Sequence, residues 1–115
     1  MSFDVKKSNS SMIIVVTFTG KCENMPQLDH MEDIVAACGP LASAIHDFVN
    51  ARGSVRCTEN GLGFGEWDIG FFAPDLLCAA AEVSVVIDKF RTAYNSGLFW
   101  ARIATYVRPG TKAQS

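Results

Sequence analysis

Glu66 and Asp68 are, by type and spacing, the residues of this chain best suited to chemistry. Two apart on an extended segment, they project their carboxylates the same way, close enough for each to perturb the other's ionisation. Such a pair can exchange protons as acid and base or hold a divalent cation. Arg56 and Arg102 fall on adjacent or next-but-one segments. A structural salt-bridge cluster is then the simpler reading, and no catalytic residue is assigned.

The remaining reactive side chains form no constellation. Cysteines stand at positions 22, 38, 57 and 78, with no Cys-x-x-Cys pair, and neither histidine lies at zinc-ligand spacing from another Cys or His. No metal is expected, and the thiols read as reduced, partly buried groups of a cytoplasmic protein. Cys22 follows Lys21 and could be a low-pKa thiol, but an ordinary loop cysteine is the preferred reading. His30 and His46 lie sixteen residues apart on one helical stretch. That places them about 160° apart around a straight helix, too far to share a ligand. His46 and Asp47 are sequence neighbours that do not face each other on a helix, and both histidines are read as solvent-facing.

No Gly-x-Ser-x-Gly, phosphate-binding loop or His-Glu-x-x-His motif occurs. Gly61-Leu-Gly-Phe-Gly65 contains Gly-x-Gly-x-Gly, but it lies in a hairpin and opens no helix, so it is not a dinucleotide fingerprint. No cofactor is expected.

Composition narrows the class further. The formal charge is −2, and Lys6-Lys7 is the only adjacent basic pair, which argues against a nucleic-acid partner. The apolar run Met12–Phe18 is far shorter than the ~20 residues of a membrane span, and no secretory signal precedes it. Charged residues make up 19% of the chain, against about 25% in typical domains. A small domain with so few charges exposes apolar surface or hides some in an oligomer.

The elements that position these residues follow from periodicity. Residues 1–11 read as a flexible N-terminal arm, 12–107 as a single α+β domain and 108–115 as a flexible C-terminal tail. Met12–Thr19 is β-branched and nearly all apolar, a central strand buried on both faces. Leu28, Met31, Val35, Cys38, Ala42, Ile45 and Val49 form one helical stripe, which Gly39-Pro40 is expected to kink or to split into two abutting helices, the unbroken stripe favouring the kink.

Val55–Thr58 and Leu62–Phe72 then make a hairpin about a turn at Glu59-Asn60-Gly61, with Gly63, Gly65 and Gly70 as points where a bulge could shift the register. Pro74 and Asp75 open a second helix with the stripe Leu76, Ala80, Val83, Ile87, Phe90 and Tyr94, and Leu98–Val107 is the last strand. The order β-α-β-β-α-β predicts a ferredoxin-like sandwich. Its four-stranded antiparallel sheet would carry two helices on one face and have the first and third strands at its centre.

Alternation along the strands then sorts the side chains. Met12, Ile14, Val16, Phe18, Val55, Cys57, Trp67, Ile69, Phe71, Phe99, Ala101, Ile103, Thr105 and Val107 fall on the helix side. The other face receives Ile13, Val15, Thr17, Arg56, Phe64, Glu66, Asp68, Trp100, Arg102 and Tyr106. Aromatic and aliphatic groups there would be wasted on water, while the charges need partners if covered.

Asn60-Gly-Leu-Gly-Phe-Gly-Glu-Trp67 partly resembles the third-strand signature of the RNA-recognition motif, at Gly61, Gly63, Phe64 and Trp67. It departs at Asn60, where that family has a basic residue, and at Leu62, where it has a stacking aromatic. Glu66 and Asp68 would also repel phosphate. RNA is therefore not the expected partner.

The expectation is an interaction, regulatory or inhibitor module that acts as a homodimer, or on another protein, through Phe64, Glu66, Asp68, Trp100, Arg102 and Tyr106. The alternative is a dimeric α/β-barrel-type enzyme or ligand-binding protein, with the same residues lining a pocket for a small apolar molecule.

Overall fold

The computed structural model describes residues 12–21, 39–58, 61–63 and 66–107, the stretch 61–63 as backbone. The elements are β1 (Met12–Lys21), α1 (Pro40–Arg52), β2 (Arg56–Cys57), β3 (Gly61–Gly63), β4 (Glu66–Ala73), α2 (Leu76–Lys89), α3 (Arg91–Asn95) and β5 (Phe99–Val107). The expected arm, the tail and the part of the first helical stripe before Gly39 lie outside the described residues. None of the described helices is long and apolar enough to cross a membrane.

The sheet is antiparallel and runs β2-β4-β1-β5, with β3 also paired to β4. It is four strands wide, but the outermost position is shared by β2 and β3, so three strands lie between the helices α1 and α2 where two were expected. Between the pairs Cys57↔Phe71 and Gly61↔Asp68 the outer strand advances four residues while β4 advances three. The pairing therefore shifts by one residue between β2 and β3, which are separate pieces of the outer strand.

The hairpin reversal also moves. Gly61, expected in the turn, pairs with Asp68, and Gly63 pairs with Glu66; Glu59 and Asn60 of the expected turn lie outside the described residues. The local Asn-Gly signal is overridden by the pairing of Gly61–Gly63 along β4. Phe64, expected on the second hairpin strand, lies outside the described residues.

β1 shows the alternation of a half-buried strand. Ile14, Val16 and Phe18 are buried against the helices, while Ile13, Val15, Thr17 and Thr19 on the other face are only half-buried. The strand is central, as expected, but not buried on both faces.

Phe18 sits opposite Ile69 and Ala101, which makes Phe71 and Phe99 its diagonal neighbours. The three rings pack edge to face at 6.3 and 6.4 Å. Each such pair adds about 0.5–1.5 kcal/mol beyond simple burial. One end of this row needs a glycine: a Cβ on Gly20 would strike the Trp67 indole and approach the Leu98 carbonyl oxygen to 2.9 Å.

The helices pack on this same face. Gly39 has φ 105° and ψ 169°, outside helical space, so α1 has its own start at Pro40, which favours a split over a kink at Gly39-Pro40. Pro40 takes the first turn, where its missing N–H costs nothing. Gly53, at φ 72°, stops the helix, and its N–H closes back on the Val49 carbonyl. Ala42, Ile45 and Val49 are the buried positions of α1.

Asp75, not Pro74, starts α2. Its carboxylate accepts the Cys78 N–H at 2.7 Å as an N-cap. The buried stripe of α2 is Ala79, Glu82 and Val86. The expected stripe holds in part: Val83 and Phe90 pack against the core and the Tyr94 ring meets Phe99 at 5.5 Å, while Leu76 and Ala80 are exposed. The fully buried positions Ala79, Glu82 and Val86 lie to one side of that stripe, and the glutamate in their middle hid them from periodicity.

Candidate interaction surface on the open sheet face

Antiparallel partners point to the same side of a sheet, so the register defines rows across the face away from the helices. Asp68, Thr19 and Trp100 form one row, and Gly70, Thr17 and Arg102 form the next. Arg56, Phe72, Val15 and Ala104 make a third, and Ile13 pairs with Tyr106 beyond it. Glu66 lies opposite Lys21 at the other end.

Five of the six sequence-predicted residues, Glu66, Asp68, Trp100, Arg102 and Tyr106, thus share this face, and only Phe64 lies outside the described residues. Three aromatic side chains remain accessible here: Trp100 at 42%, Tyr106 at 53% and Phe72 at 36%. Phe72 was missed in the sequence, although the alternation Glu66, Asp68, Gly70, Phe72 carried it.

The expected salt-bridge cluster does not form among the described residues. Asp68 instead accepts a hydrogen bond from the Thr19 hydroxyl at 2.7 Å. The Arg56 guanidinium stacks 5.3 Å from the centre of the Phe72 ring. Register explains the difference. Arg56 faces Phe72, four residues along β4 from Asp68, about 13 Å at ~3.3 Å per residue. Arg102 lies two strands and two residues from Asp68, about 12 Å by strand spacing and rise. A shallow hollow of about 270 Å³ opens beside Phe72, bounded by Met12, Ile13, Arg56 and Pro74.

A second cluster of reactive types lies behind the sheet. His46 is not solvent-facing: its ring packs 6.2 Å from that of Phe71, and Nε2 lies 3.7 Å from Cys57 Sγ. Its Nδ1 comes within 3.6 Å of the Asp47 carboxylate, although the two are sequence neighbours. Cysteine, histidine and aspartate are the types of a thiol nucleophile, its base and an orienting group.

The electrostatics oppose that use. Burial pushes the Cys57 thiol above its ordinary pKa, and Sγ donates to the Thr58 carbonyl at 3.2 Å. Both effects hold the proton on sulfur, whereas a nucleophile needs the thiolate. The cluster is part of the packing under β2. Among the described residues no group of three or more His, Cys, Asp or Glu is arranged to hold a metal ion.

Glu82 is the polar group that sequence reasoning missed. Its carboxylate is 1% exposed and receives the Arg52 Nε–H at 2.9 Å, which joins α2 to α1. Arg52 and Lys89 both stand over the Phe48 ring, at 5.9 and 5.7 Å, and Phe48 packs edge to face on Phe90. This is an interhelix strut on the far side of the molecule from the open face. In comparisons with protein families, curated proteins and solved structures, nothing matches this chain.

Proposed function

We propose that this chain works by protein contact, as an interaction, regulatory or inhibitor module that docks through its open sheet face and pairs with itself. We read the arrangement as ferredoxin-like, with the second strand broken into β2 and β3 and the second helix into α2 and α3. The observation that carries the functional reading is the exposure of Phe72, Trp100 and Tyr106 on one sheet face. Water gains nothing from such a surface, and a docked protein would bury it. The cytoplasm is the proposed compartment, on the reading of the cysteines as reduced thiols.

Light scattering after size exclusion tests the self-pairing. Wild type is expected as a dimer and Trp100→Glu as a monomer. A monomer in both would overturn it.

A small-molecule-binding or enzymatic role has one observation in its favour, the hollow beside Phe72 with the Arg56 guanidinium at its wall. That geometry suits an apolar carboxylate. A thermal-shift screen of such acids would support this reading only if Arg56→Ala abolished the stabilisation.

A further inference from the structure

We infer that β5 is the seam of the homodimer, joined edge to edge and antiparallel to the β5 of a second copy about a two-fold axis at Ile103. This rests on the reading above of a chain that pairs with itself, and it specifies where the two copies meet.

β5 ends the sheet: among the described residues it pairs only with β1. Among the described residues, the outer side of this nine-residue strand has no strand partner for its backbone donors and acceptors, over about 30 Å at ~3.3 Å per residue. Edge strands are normally protected from pairing by prolines, lysines or inward-pointing charges. Phe99–Val107 has no proline, lysine or acidic residue, and Arg102 is its one charge. Apolar side chains are exposed on both of its faces, Trp100 and Tyr106 on the open side and Ile103 and Val107 on the helix side.

The strand also complements its own reverse. An antiparallel register centred on Ile103 engages all nine residues. It sets Trp100 opposite the partner's Tyr106, twice by symmetry, as a cross-strand aromatic pair. Arg102 meets the partner's Ala104, Ala101 the partner's Thr105 and Phe99 the partner's Val107, so no like charges stand directly opposite. Moving the axis to Arg102 would place two guanidinium groups face to face and leave two residues of each strand unpaired. In the Ile103 register the two open faces become one continuous surface with the aromatic pairs at its middle.

Two substitutions separate this seam from a face-to-face dimer. Ile103→Lys puts like charges on the axis, while Phe72→Glu places a charge on the open face two strands from the edge. With folding checked by circular dichroism, light scattering is expected to show a dimer for wild type and Phe72→Glu and a monomer for Ile103→Lys. Mild oxidation of Ile103→Cys should give a reducible covalent dimer that wild type does not give, a readout that stands even if Ile103→Lys fails to fold. A Phe72→Glu monomer together with an Ile103→Cys chain that does not cross-link would overturn the seam and leave self-pairing through the face intact. A wild-type monomer at high micromolar concentration would overturn both.

Discussion

Arg52 Nε and Glu82 Oε2 lie 2.9 Å apart, and the two ends of this bridge sit in different environments: the arginine side chain is 34% exposed and the glutamate 1%. The consequence is an asymmetry between the two truncations. Arg52→Ala leaves a carboxylate buried without its cation and should cost about 3–5 kcal/mol. Glu82→Gln leaves a guanidinium that water can reach and should cost roughly 1–2 kcal/mol. Urea unfolding of the two variants checks the ordering.

Gly20 is a second point where packing admits one residue. A methyl group there would meet the Trp67 indole, so Gly20→Ala should destabilise by about 1–3 kcal/mol. Combining it with Trp67→Leu should cost less than the sum of the single changes, because the second substitution vacates the space the first requires. Denaturant midpoints across the double-mutant cycle measure the coupling.

Cys57 gives a pH dependence of known sign. Burial raises its folded pKa, so above the unfolded thiol value of about 8.5 the unfolded chain releases a proton that the folded chain keeps. The stabilising contribution is complete below that pH and is lost as pH rises through the folded pKa. The melting temperature of wild type should therefore fall more steeply than that of Cys57→Ala between pH 8 and 10, with the difference between the two curves isolating this thiol.

On the open face the pairings themselves can be measured. Thr19 and Asp68 share a hydrogen bond, whereas Asp68 and Arg102 are two strands apart. A cycle of Thr19→Val and Asp68→Ala should show coupling of about 1 kcal/mol. The corresponding cycle of Asp68→Asn and Arg102→Ala should show coupling within about 0.3–0.5 kcal/mol of zero. Appreciable coupling in the second cycle would restore the salt-bridge cluster.

The side-chain alternation along β1, β4 and β5 was legible in the sequence, because hydrophobic period two survives wherever one face of a strand is buried. That alone placed Asp68, Trp100 and Arg102 on one surface. Glu82 was illegible for the opposite reason: periodicity assigns a charge to solvent, and only the position of α1 shows that Arg52 arrives to neutralise it. The contact of His46 with Cys57 was hidden likewise: alternation put Cys57 on the helix side, but only the packing of α1 on the sheet turns His46 toward it. The hairpin failed on a competition between scales. Asn60-Gly61 is a good local turn, yet pairing Gly61–Gly63 with Glu66–Asp68 gives β4 a longer ladder than that turn would allow.

The extra residue that interrupts the outer strand makes the two margins of the sheet unequal. β5 offers an unbroken ladder, while the opposite margin offers two short pieces, β2 and β3, offset by one residue. A copy docking there could not keep its hydrogen bonds in phase across the break. Growth through the proposed β5 seam would end after a single symmetric addition, because each copy would then have used the one unbroken edge among the described residues. With the proposed seam at β5, the irregularity would act as a stopping rule, giving a finite pair in place of an endless ribbon, although the chain carries an edge strand that in a more regular sheet would invite fibres.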